Sequence, residues 1–410
     1  MQQMMAQLQQ MMSQAASSGP VNWDLAKQLA TSHLGDDPAV SASDRKATAD
    51  ALRLADLWLE EATTFPSGLT TAASWTRREW LDNTTSTWRA LSEPLAEKMT
   101  AALSDLVPED VRSMLGPMAN LMQGIGSSLF GAQVGQAMAE LSKEVLSSTE
   151  VGLPLGPAGT AALLPGNLNT YAEGFEDVGP DEVRLYVSLR ETAHHRLYGH
   201  VPWLRAHVIG AVEAYAAGIH IDRSAMESLA SDLDLTNADA VQHIDLTELF
   251  RPEDTPAQRA ALARLEHMLA LIGGWVTCVA TEAAGQRLPT LAKLAESARR
   301  RRATGGPTER TFSALVGLKL SPKKLREATV FWEQMTRDRG VDGRDALWAH
   351  PDLMPTQEDV ASPGTFAEAD FGDLDMSIFD QLAVNDPREE REEDTDDDND
   401  DGPEPPPAKA

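Results

Sequence analysis

The sequence is poor in the features that usually declare a function. A single cysteine, Cys278, sits among apolar neighbours in WVTCVA, so no internal disulfide can form. The pattern fits a reducing compartment and a buried structural thiol. Basic residues are scarce, 35 Lys and Arg against 63 Asp and Glu, which argues against a chain that wraps nucleic acid. No G-x-S-x-G elbow occurs, so the common serine-hydrolase arrangement is excluded. The string GIGSSLFG follows no strand pattern and lacks the Gly-Lys-Ser/Thr ending of a phosphate loop. No internal repeat of fixed period is present. The opening MQQMMAQLQQMMSQ has neither the basic start nor the continuous apolar core of a signal peptide, so cytoplasmic residence is the expectation.

Charge is missing altogether between Arg112 and Glu140. A membrane span would leave Asn120, Gln123, Gln133 and Gln136 unsatisfied in lipid. The small residues Gly131, Gly135 and Ala139 instead predict two helices packed at close range inside a soluble bundle, and no membrane association is expected.

What the chain does have is an ordinary globular composition, 42% apolar and 24% charged, enough to bury a sizeable core. The net charge of −28 is unevenly spread: residues 368–410 hold 17 acidic and 3 basic residues, half of the total. That run cannot bury enough apolar area to offset its ordering entropy and is predicted to be a disordered acidic tail. The expected organisation is a flexible leader over 1–19, one mainly α-helical domain over 20–366, and the tail over 367–410.

Within that domain, helices are predicted from Pro20 to about residue 35 and from Ser43 to about Ala62. Leu52, Ala55, Leu57 and Leu59 provide the apolar face of the second. Trp75, Trp80, Trp88 and Leu91 read as core anchors. Residues 151–179, rich in Gly and Pro, read as an extended connector with one or two short strands; an edge there could take up a peptide by strand addition, although plain connection is the preferred reading. The segment 221–250 is polar, acidic and helical. Leu262, Leu265, Leu269, Ile272 and Val276 form the stripe of a central core helix. Residues 287–326 carry 11 Lys or Arg against Glu296 and Glu309, a basic island expected to form a charged surface or to pair with the acidic tail.

Chemistry concentrates in residues 183–208, VRLYVSLRETAHHRLYGHVPWLRAHV. On a helix, Glu191 lies one turn before His194 and His195, so its carboxylate can meet either imidazole. Zinc peptidases use H-E-x-x-H because two histidines four apart hold the metal and the Glu takes a proton from its bound water. The five residues here are Arg190, Glu191, Thr192, Ala193 and His194: the Glu and second His are present, and Arg stands in the first position. His195, His200 and His350 are candidates to complete a ligand set, each with a plain structural reading beside it. Arg190 is expected to pair with Glu191.

The stretches PVNWDLAKQLA, ADALRLADLWLEEAT, LRETAHHRLYGHVPWLRAHV, RRRRATGGPTERTFSALVGLKLSP and LWAHPDLMP together resemble the actinobacterial branch of the zincin-like hydrolase family, often labelled zinc-dependent metalloprotease. The resemblance covers residues 20 to about 366. It implies a mainly helical, zincin-related fold and a zinc-dependent hydrolase acting on a peptide or protein, with Glu191 as general base and His194 as metal ligand. It also implies an acidic third ligand on a later helix just before Gly274 and Trp275, where this sequence has Gly273; Glu266 lies two turns earlier. Three functions follow as expectations: a metal-dependent hydrolase, an inactive zincin scaffold that binds a peptide or protein, or a charge-driven interaction protein working through the 287–326 basic island and the acidic tail.

Overall fold

The computed structural model describes residues 19–105, 116–217, 256–303 and 321–368. The predicted leader up to residue 18, the 221–250 helix and the acidic tail from residue 369 lie outside these residues, as does 304–320 of the basic island. Helices dominate in the described chain: α1 (Trp23–Ser32), α2 (Ala42–Leu59), α3 (Arg77–Asp105), α4 (Gly116–Glu144), α5 (Pro165–Ala172), α6 (Pro180–His200), α7 (Pro202–Ala217), α8 (Pro256–Ala284), α9 (Leu291–Ala303), α10 (Pro322–Asp345), α11 (Gln357–Ala361) and α12 (Pro363–Glu368).

Local chemistry sets the helix starts. Asn22 accepts from the Leu25 amide at 3.1 Å to open α1, and Ser41 accepts from the Asp44 amide at 3.0 Å to open α2. These side chains satisfy amides that have no partner within the helix. On α2, Leu52, Ala55 and Leu59 are fully buried as expected, but Leu57 is 62% exposed. Five residues after Leu52 it has turned about 140° away from that face. The stripe on α8 is buried at Leu265, Leu269, Ile272 and Val276, while Leu262 is only partly buried. Apolar length would let Pro256–Arg287 cross a membrane, yet 78% of its apolar window is buried within the protein's own core.

Close approaches depend on missing side chains. A Cβ at Gly131 would lie 2.5 Å from the Asn22 carbonyl oxygen, and one at Gly135 would meet the Ala26 carbonyl oxygen more closely still. α4 therefore packs on α1 through its glycines. At Gly274 a Cβ would come within 2.8 Å of the Ala328 Cβ, which marks the crossing of α8 and α10. Beside that crossing, Trp332 stacks on Trp348 at 5.4 Å between ring centres, and the indole of Trp275 donates to Asp345 at 2.9 Å. Asp345 also pairs with the fully buried Arg344, which compensates both charges away from water. Trp75, Trp80, Trp88 and Leu91 are all core residues. Cys278 is buried and free, and burial pushes its thiol up to about 11.

Two short strands, β1 (Thr71–Ser74) and β2 (Thr160–Leu163), pair in parallel with Thr71 opposite Thr160 and Ser74 opposite Leu163. On the other edge of β2, the Ser148 amide donates to the Ala162 carbonyl and the Leu164 amide to the Leu146 carbonyl, both at 2.9 Å. Both edges of β2 are thus occupied, so strand addition has no free partner there.

Candidate functional site

The helix that carries the histidines, α6, begins at Pro180, whose fixed φ suits a first helical position. The Glu182 carboxylate reaches back to the Gly179 amide at 3.1 Å. Val201 precedes Pro202 and closes the helix, since the residue before proline avoids helical geometry. α6 runs through the core, and Glu191 (0% exposed), His194 (2%), His195 (6%) and Arg196 (1%) are all buried. Such groups need compensation by partners. Arg196 finds it in Asp56, at 2.7 Å, and in the Phe65 carbonyl at 2.7 Å.

Glu191 is held from several directions. Its Oε1 accepts from the Ser148 hydroxyl, from the Ala162 amide at 3.1 Å and faces His195 Nε2 at 3.3 Å. Its Oε2 accepts from the Thr149 amide at 3.0 Å and from the Thr149 hydroxyl. Burial by itself would raise the carboxyl, but the hydrogen bond and charge of His195, joined by the hydroxyls of Ser148 and Thr149, outweigh it and hold Glu191 below the ordinary carboxylate range. Both oxygens of this carboxylate are thus engaged by hydrogen-bond donors.

The expected pairing of Arg190 with Glu191 does not occur. Successive residues on a helix point about 100° apart, and Arg190 instead donates to the Thr277 hydroxyl on α8 at 3.0 Å. His194 turns to the same side as Arg190. Its Nδ1 donates to the Arg190 carbonyl oxygen at 2.8 Å, which leaves Nε2 as the lone-pair nitrogen. Among the described residues, that Nε2 is buried without a partner, as is one terminal nitrogen of Arg190. Burial, and then the charge of Arg190, push His194 well below its usual value, so its ring is neutral. His195 lies on the other side, against Glu191.

His194 and Arg190 line a cavity of about 20 Å³ together with Glu150, Tyr171, Tyr186 and Arg302. Arg302 comes from α9, within the basic island that the sequence suggested was a charged surface. Arg299 and Arg300 do pair with Glu296 on the exposed side. Four consecutive residues span about 300° of a helix, however, so some must face inward. Arg301 lies over the Tyr171 ring, and Arg302 reaches the cavity. Burial and the nearby Arg190 push Arg302 down to about 10, still charged at neutral pH.

The other sequence candidates lie elsewhere. His200 Nδ1 donates to the Arg196 carbonyl oxygen at 2.9 Å, and the ring stacks on Phe65 and lines a different cavity with Trp348. His350 accepts from the Asp352 amide in a turn. Glu266 pairs with Lys324 at 2.6 Å. At Gly273, the position where the resemblance implies an acid, an added Cβ would lie 3.6 Å from a terminal nitrogen of Arg302.

Zinc is the metal that the resemblance implies, and the described residues do not fit it. Catalytic zinc takes three protein donors and a water. Here the first-ligand position is a guanidinium, the place of the third is approached by another guanidinium, and among the described residues only His194 and Glu150 bring metal-donor types to the cavity. Among the described residues, no group of three or more His, Cys, Asp or Glu converges on one point.

The sequence model of the zincin-like metallopeptidases matches residues 21–367. A solved structure from Chloroflexus aurantiacus, described as a "putative hydrolase with a novel fold", shares the fold with a TM-score of 0.59 at 19% identity; the match covers 85% of this chain and 97% of that one. No curated protein matches the sequence. With the match running from the start of α1 to within α12, and a helical architecture common to both chains, this protein belongs to the zincin-like metallopeptidase family.

Proposed function

We propose that this chain is a zincin-like scaffold that has given up metal-dependent hydrolysis and acts as a peptide- or protein-binding module in the cytoplasm. The observation that carries the reading is the state of Glu191. The residue that the family resemblance makes a general base spends both carboxylate oxygens on Ser148, Thr149 and Ala162. Arg190 in the first-ligand position and Arg302 beside Gly273 support the same reading, because like charges oppose a bound cation.

The hydrolase reading, with Glu191 as base and His194 as zinc ligand, has one observation in its favour: the buried, unpartnered Nε2 of His194. The metal content of the full chain separates the two. The binding-module reading expects no tightly held zinc after purification and no peptide hydrolysis when zinc is added. About one zinc per chain, lost in His194→Ala and accompanied by hydrolysis, would establish the hydrolase instead.

A further inference from the structure

The cavity beside His194 has an unusual charge pattern for a buried space. Arg190 has its guanidinium tied to Thr277 through one terminal nitrogen only, and the other is buried and unpartnered. Arg302 makes no hydrogen bond or ion pair within 4 Å of a carboxylate among the described residues. Two guanidiniums, one of them with a buried nitrogen that has no acceptor, therefore face one small space. Glu150 also lines it, and its charge acts on Arg302, but it does not close an ion pair with either arginine.

From this the geometry points to a binding site for one small carboxylate-type monoanion, held between Arg190 and Arg302 where a zincin would hold its metal. The inference rests on the reading that zinc is not bound here. Charge argues for an anion: two fixed positive groups stand in for one divalent cation, and a buried terminal nitrogen of Arg190 lacks the acceptor it requires. Size argues for a small one. A volume of about 20 Å³ accommodates one or two water-sized groups, which suits the head of a carboxylate. Glu150 argues for a single charge, since a dianion would be opposed by its carboxylate. The planar fork of arginine matches the two oxygens of such a group. The same chemistry could be presented by a free small carboxylate or by the carboxyl terminus of a peptide.

The test uses the full chain with sodium formate, sodium acetate, a short peptide with a free or an amidated carboxyl terminus, and sodium phosphate, each against sodium chloride at matched ionic strength. Thermal unfolding and calorimetric titration are the measurements. The expected result is saturable stabilisation by formate or acetate, weakened about tenfold or more in Arg302→Gln, as for the loss of one charge-assisted hydrogen bond. Arg299→Gln, on the exposed side of the same helix, should bind as the unmodified chain does. Stabilisation by the free-terminus peptide but not its amide would place the carboxylate on a peptide; formate binding without peptide binding would assign it to a small molecule. Absence of saturable binding by all of these carboxylates, preference for phosphate, or unchanged binding in a folded Arg302→Gln variant would overturn the site. Zinc alone is the separate arm: tight zinc binding would overturn the reading on which the site rests, whereas failure of the carboxylates without zinc binding would remove the anion site and leave that reading standing.

Discussion

Replacing Glu191 by Gln separates a structural carboxylate from a catalytic one. The side chain is fully buried, and both of its oxygens accept from donors: Ser148 and Ala162 on one, the amide and hydroxyl of Thr149 on the other. Whichever way a glutamine amide is turned, its NH2 faces donors, and either the Ala162 or the Thr149 amide is left without an acceptor. An unsatisfied buried donor is worth roughly 1–3 kcal/mol, and each charge-assisted hydrogen bond about 1.5–3 kcal/mol. These terms do not add fully, so a loss of roughly 3–5 kcal/mol is expected. That is a large share of the ~5–15 kcal/mol that holds a typical domain. Urea unfolding followed by tryptophan fluorescence and by circular dichroism measures it. The loss should depend on pH in a defined sense. The folded-state carboxyl is depressed from 4.5, so its contribution is complete above about that pH and is lost as pH falls below it toward the folded value. The gap between the two proteins should therefore narrow in acid. A variant with unchanged stability at pH 7, or a gap that widens below pH 4.5, would refute the argument.

Two other outcomes follow from the same structure. His194 is buried and depressed below its usual 6.5, so the unfolded chain takes up a proton that the folded chain refuses; stability from this source is full above about pH 6.5 and is lost as pH falls. Replacing His194 by Gln should flatten the stability profile between pH 6.5 and 4.5, by up to about 1.4 kcal/mol per pH unit, and an unchanged profile in that window would count against a neutral buried imidazole. Gly135→Ala should push α4 away from the Ala26 carbonyl and destabilise the fold by roughly 1–3 kcal/mol, read as a lower urea midpoint with little change in slope; a neutral result would mean that the α1–α4 contact is not as close as described.

Much of the fold was legible because it rests on local rules. Asn22 marks the start of α1 by its own chemistry, and Gly131 and Gly135 show their role by spacing alone, while α2 starts at Ala42, one residue before the expected Ser43, capped by Ser41. Leu57 misled because its apolar character was read without following the helical angle far enough. The site was harder. Glu191 and His194 stand out in the sequence, but what Glu191 binds depends on the turn at Ser148 and Thr149 meeting β2, a register set by tertiary packing. The partner of Arg190 is Thr277 on α8, 87 residues away. Arg302 was hidden inside RRRR, where abundance suggested a solvated surface. The missed signal was geometric: an uninterrupted arginine run on a helix cannot keep every member in water.

The position of Glu191 between three chain segments also sets the terms for anyone who would re-engineer this protein. The carboxylate ties the end of the 146–149 turn and the edge of β2 to α6, so it works as a fastener across the middle of the molecule. Writing histidine back at position 190 and an acid at 273 would repair the spelling of a metal motif and leave this fastener closed. Freeing the carboxylate for a substrate water would first require other acceptors for Ser148, Thr149 and the Ala162 amide. On the binding-module reading, a hydrolytic version of this chain would need changes in the scaffold before any change at the metal position.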